Sequence, residues 1–145
     1  MKRKRAVGWS ALILGALLIA IQFVPVARVN PPVKSDLQAP PEVKEILRGA
    51  CYDCHSHESR WPWYSRVAPL SWWLADHIRE GRADLNFSQW PLLDFEAQAD
   101  ALEDIAAQIK KGKMPLRSYR LAHPEARLDA RQKGILLDWA GAGGE

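Results

Sequence analysis

Cys51-Tyr52-Asp53-Cys54-His55 is the stretch that decides how this chain is read. It is C-x-x-C-H, the pattern that attaches a c-type haem covalently. Two thiols three residues apart lie on one side of a single helical turn, where both can bond the vinyl groups of one porphyrin. The next residue, His55, then falls under the ring as the proximal iron ligand. These are the only two cysteines in 145 residues, so no disulfide framework can staple the fold. A Cys51–Cys54 disulfide remains an alternative. A thioredoxin-like redox pair would need a strand–helix–strand context that the flanking sequence lacks, and zinc would need a wider ligand spacing.

A second axial ligand is sought downstream. Apart from Met1 the only methionine is Met114, in Gly112-Lys113-Met114-Pro115. Gly112 ends a helical stretch and Pro115 prevents its resumption, so the thioether is presented on a loop. Met114 is the expected distal ligand, with an ordinary core methionine as the plain alternative. His57, His77 and His123 are weaker rivals. Without a bound Met114 the iron would be open to a peroxide or a diatomic gas, a peroxidase or sensor reading.

Working outward, the amino terminus carries Lys2, Arg3, Lys4 and Arg5, followed by the uncharged run Ala6–Ala27. Seventeen of those 22 residues are apolar. Basic residues ahead of an apolar run leave the tip cytoplasmic and place the remainder outside. Residues 1–27 are therefore expected to form one uncleaved transmembrane helix, or else a signal segment. The haem domain would then lie in the periplasm, held at the bacterial inner membrane. Residues 28–40, with Pro31, Pro32 and Pro40, read as an extended tether. Residues 41–145 read as one all-α domain. Helices are expected at 41–50, at 71–81 with Ser71 as N-cap, from Asp94 to Gly112, and from Asp129 onward. The third should keep Phe95, Ala99, Leu102, Ala106 and Ile109 on one face. In the fourth, Gly134 costs about 1 kcal/mol relative to Ala, tolerable if another helix crosses closely there.

The formal charge is +3, but residues 28–145 hold 16 positive against 17 negative side chains. No basic stripe is left for phosphates, so no nucleic-acid partner is expected. Seven of the 13 aromatics are tryptophan. Trp72 and Trp73 are candidates for packing on a haem, and bulky core filling is the alternative. Arg60, Arg66, Arg79 and Arg82 are candidates for haem propionates or plain solvated charges. Asp94, Asp100, Glu103 and Asp104 read as a solvated helix face.

The run from Val43 to Trp139 resembles a bacterial haem-binding domain family marked by C-x-x-C-H and rich in tryptophan, itself similar to class I cytochromes c. The stretches that carry the resemblance are Cys51–Ser56, Trp61–Ser65, Pro69–Trp73, His77–Arg82, Leu85–Trp90, Gly112–Leu116 through Tyr119, and His123-Pro124. The resemblance implies a cytochrome c-like helical fold around one covalent haem c, with thioethers at Cys51 and Cys54 and with His55 and Met114 on the iron. A haem iron with both ligands in place reads, from the residues, as an electron carrier with redox partner proteins rather than an enzyme. The tryptophan-containing insert between Ser56 and Trp90 departs from ordinary cytochromes c.

Overall fold

Pro41 opens a helix well, because its missing N–H is one the first turn leaves unpaired anyway. Glu42 in that turn and Arg48 in the last complement the dipole. The computed structural model of the protein places this helix at the expected residues. It describes residues 2–144, the side chains of 2–6 excepted. Met1 and Glu145, and the basic side chains of Lys2 to Arg5 on which the charge-based topology rests, lie outside the described residues. The helices are α1 (Lys2–Ala20), α2 (Pro41–Ala50), α3 (Tyr52–His55), α4 (Leu70–Asp84), α5 (Phe95–Lys110), α6 (Arg117–Ala122) and α7 (Ala130–Gly141). Short 3-10 turns lie at Ile21–Phe23, Trp63–Arg66, Phe87–Leu92 and Pro124–Ala126. No strand occurs among the described residues, so the all-α expectation holds.

The chain divides into two compact units, one of Met1–Val29 with Trp61–His77, the other of Asn30–Arg60 with Ile78–Glu145. The boundary falls inside α4. The larger unit has the hydrophobic core. Val43, Ile46, Leu47 and Ala50 of α2 are all buried, as their spacing predicts. Leu102 and Ile109 of α5 and Leu136 and Trp139 of α7 join them, together with Tyr52, Phe87 and Trp90. Each large apolar side chain taken from water contributes about 1.5–3 kcal/mol. Asp94 caps α5 by accepting from the Ala97 N–H at 2.8 Å. Asp129 and Gln132 form a reciprocal capping box on α7.

Several expectations are corrected. Ala6–Ala27 is not one helix. α1 stops at Ala20, and Val24 is already extended ahead of Pro25, the conformation a residue before proline prefers. Of its 19 residues the first four are charged, which leaves 15, about 22 Å of helix against a hydrocarbon core of about 30 Å. No helix among the described residues is long and apolar enough to cross a membrane. The proline-rich stretch is extended but not detached. Leu37 is buried in the core and its N–H donates to the Phe87 carbonyl at 3.0 Å. Ser71 is not a cap but a buried residue inside α4, which starts at Leu70 and continues past Gly81. Phe95 is 89% exposed, because the buried stripe of α5 starts further along the helix. At Gly134 nothing lies within 4 Å of a Cβ position, so no close crossing explains that glycine.

Candidate functional site

The site is built around a helix of one turn. Both residues between the cysteines are structural anchors. Tyr52 is buried, stacked on Phe87 with centroids 5.0 Å apart, and its hydroxyl donates to Asp36 at 2.8 Å. Asp53 is buried and accepts from the Arg60 backbone N–H at 2.9 Å, from its Nη2 at 3.0 Å and from the Tyr119 hydroxyl at 2.5 Å. The 51–55 turn is thereby bolted to the extended stretch on one side and to α6 on the other. Burial and these bonds to carboxylates raise the pKa of both tyrosines, so they stay protonated donors.

The other support is α4. A Cβ on Gly81 would meet the Cys54 carbonyl oxygen at 2.8 Å, so only glycine lets the two backbones approach. That approach places the Gly81 carbonyl 2.8 Å from His55 Nδ1, with the Leu85 carbonyl at 3.1 Å. Carbonyls only accept, so Nδ1 carries the proton and Nε2 keeps its lone pair. Burial lowers the His55 pKa, which favours the neutral imidazole that a metal requires, although both carbonyl bonds and Asp84 oppose the shift. Fixing the tautomer through the second nitrogen is the usual device for orienting a histidine ligand.

His55 lines a cavity of about 420 Å³, within the range of cofactor sites. Cys51 and Met114 line it too, with Leu47, Phe87, Ile105 and Ile109 among the apolar walls and Asp84, Asp104 and Gln108 among the polar groups. Gly112, at φ +65°, turns the chain at the end of α5 and delivers Met114 to this wall. Cys54 is not on the lining; it sits against Gly81. The two cysteines are free thiols. Burial first, then mutual repulsion, pushes Cys51 up to about 12, and burial with Asp53 nearby pushes Cys54 up to about 11. Neither has the thiolate character of a redox C-x-x-C pair.

Other sequence candidates lie elsewhere. Trp72 and Trp73 belong to the smaller unit and are not among the lining residues. The rival histidines do not line the cavity either. His57 accepts from Asn86 at 3.0 Å, His77 lies against Trp73 at 4.2 Å, and His123 stacks on Tyr119 at 4.1 Å. Arg60 is committed to Asp53, and Arg82 donates to the Ser56 carbonyl at 2.7 Å. Asp104 is exposed, as expected of a solvated face, and it also borders the cavity. Sequence reasoning assigned no role to Asp53, Gly81 and Tyr119, although all three lie in the stretches that carry the family resemblance, because their partners are distant in the chain.

A neutral imidazole with a free Nε2, a thioether and a thiol on one largely apolar cavity form a donor set that fits a haem. The lining comes from helices and from the loops that carry Leu85, Met114 and Leu128. The comparison with known families agrees. A haem-binding domain model matches residues 16–142, and the chain belongs to that family. The matched stretch takes in the extended segment that supplies Leu37 and Asp36 as well as the 51–55 turn. No curated protein and no solved structure matches the chain.

Proposed function

We propose that this haem-binding protein is a monohaem c-type cytochrome that carries single electrons outside the cytoplasm. One observation carries the reading: His55, with Nδ1 tied to two backbone carbonyls, faces the same cavity as Cys51 and Met114. Cys51 and Cys54 would hold one haem c by thioether bonds. Each thiol adds across a vinyl group, sulfur to the α-carbon and hydrogen to the β-carbon, with no net oxidation. His55 and Met114 would hold the haem iron. The group supplies Fe(III)/Fe(II) cycling, and no substrate chemistry is needed. The chain's own part is orientation and exclusion of water. Tyr52, Asp53 and Gly81 lock the turn, the apolar wall lowers the local dielectric, and a thioether in place of a second histidine raises the potential.

Export and attachment at the bacterial inner membrane belong to the same reading. They are supported by the basic residues ahead of the apolar run and by the exposure of Val7, Trp9, Leu12, Ile13, Leu14 and Leu17 along α1. The partners are then redox proteins on the same side of the membrane. The test is a visible spectrum of protein made with haem-maturation machinery. A haem band that survives acid–acetone extraction, with a red Fe–S(Met) charge-transfer band that disappears in Met114→Ala, is the expected result. A high-spin ferric spectrum in the unmodified protein would overturn distal ligation by Met114, and extractable haem would overturn covalent attachment.

A further inference from the structure

The smaller unit has no part in the cavity, yet it holds a concentration of exposed aromatic and cationic side chains. Trp63 is 78% exposed, Leu70 50% and Trp73 42%. Burying such surface is worth far more than leaving it in water, so large exposed apolar side chains gathered within so short a stretch of chain point to a binding face. These residues are tied to the end of the apolar amino-terminal segment. Gln22 makes two bonds to one residue, donating from Nε2 to the Ala68 carbonyl at 3.1 Å and accepting the Ala68 N–H on Oε1 at 3.0 Å. Arg28 donates to the Ser65 carbonyl at 3.1 Å. The tryptophan-rich segment is thereby fastened just beyond the end of α1, beside exposed Phe23.

Charge is sorted in the same sense. Residues 1–29 and 61–77 contain six basic side chains and a single acidic one, Asp76; four of the six are Lys2–Arg5 at the far end of α1, and Arg28 and Arg66 stand with the tryptophan-rich segment. Arg28 and Arg66 are exposed in this unit. Apolar residues on every side of α1 beyond Arg5, then indoles, then arginines, is the order met on passing from hydrocarbon to headgroups. Indoles rest at that interface because one edge is apolar and the N–H is wet.

We propose that Trp61–His77 is a lipid-docking collar, whose Trp63, Leu70 and Trp73 enter the interfacial layer of a bilayer containing anionic phospholipid, beside α1. It makes up with interfacial contact for the membrane depth that the short α1 lacks. The proposal rests on membrane attachment through residues 6–27, and its test separates the two.

The full haem-loaded chain is reconstituted in vesicles of 70% phosphatidylcholine and 30% phosphatidylglycerol. The phosphatidylcholine acyl chains are either ordinary or brominated, and the tryptophan intensity ratio, brominated to ordinary, is read for the unmodified protein and for Trp9→Phe, Trp63→Phe and Trp73→Phe. Bromine quenches only indoles it can touch, so deleting a lipid-facing tryptophan raises the ratio and deleting a solvent-facing one lowers it. The haem spectrum checks each variant's fold. The expected result is a rise for Trp63→Phe and Trp73→Phe. A ratio that does not rise for either overturns the collar, and the face is then left to a protein partner. Trp9→Phe reports separately on α1: a rise there without one at 63 and 73 keeps the attachment and rejects the collar. No rise in any of the three rejects both.

Discussion

The two units of this chain use aromatic residues in opposite ways. In the larger unit most are interior, with Phe95 the exposed exception. Tyr52, Phe87, Trp90 and Trp139 are all buried, and the Tyr52 and Phe87 rings stack beside the 51–55 turn. In the smaller unit Trp9, Trp63 and Trp73 are exposed. The charge differs as well, with 14 basic against 16 acidic side chains in the larger unit and six against one in the smaller. A tryptophan count treats these as one feature, whereas they are two. One set builds a pocket wall and rigid backing for a cofactor, the other a surface. The overall basic character describes the smaller unit alone.

The comparison can be broken most sharply at the thiols. Cys51→Ser with Cys54→Ser should abolish covalent haem, read by haem staining of a denaturing gel, while vesicle association through the smaller unit is unchanged. Parallel loss of both would mean that the units do not act separately. Next in size is Leu37→Ala. Removing this side chain from the core should destabilise the larger unit by about 2–5 kcal/mol in denaturant unfolding. A change near zero would restore the tether reading of residues 28–40. Asp53→Asn removes the charged acceptor of Arg60 and Tyr119 and should cost about 1.5–3 kcal/mol, read from the same unfolding curves. Gly81→Ala drives a Cβ into the Cys54 carbonyl and should cost about 1–3 kcal/mol, with lower haem incorporation because the His55 acceptors move. Smallest is Trp63→Ser, which should shift stability by no more than about 0.5 kcal/mol, since the side chain is largely in solvent.

Elements with local causes were legible in the sequence. Pro41 and Glu42, and the caps Asp94 and Asp129, start their helices where local rules put them, and Val43, Ile46 and Leu47 fall on the buried face their period dictates. The apolar segment was misread for an equally local reason. Hydropathy counts side chains, while Val24-Pro25 sets the backbone and ends the helix early. Phe95 was misread because period identifies a stripe but not where along it the neighbouring helix begins.

The sequence by itself determined the chemistry on offer: two thiols and an imidazole at fixed spacing, one loop methionine, and a segregated charge. These follow from residue identity and short-range geometry. Only the tertiary structure decided which of them meet. It brings Met114 to the wall shared by Cys51 and His55, across more than half a hundred residues of chain. It turns an apparently unhelpful helix glycine, Gly81, into the contact that sets the His55 tautomer. It gives Arg60 and Arg82 to the protein's own acceptors instead of leaving them for propionates. The physical reason is the same in each case. Hydrogen-bond partners and close backbone approaches are satisfied between residues far apart in the chain, and no local pattern records which distant group will arrive.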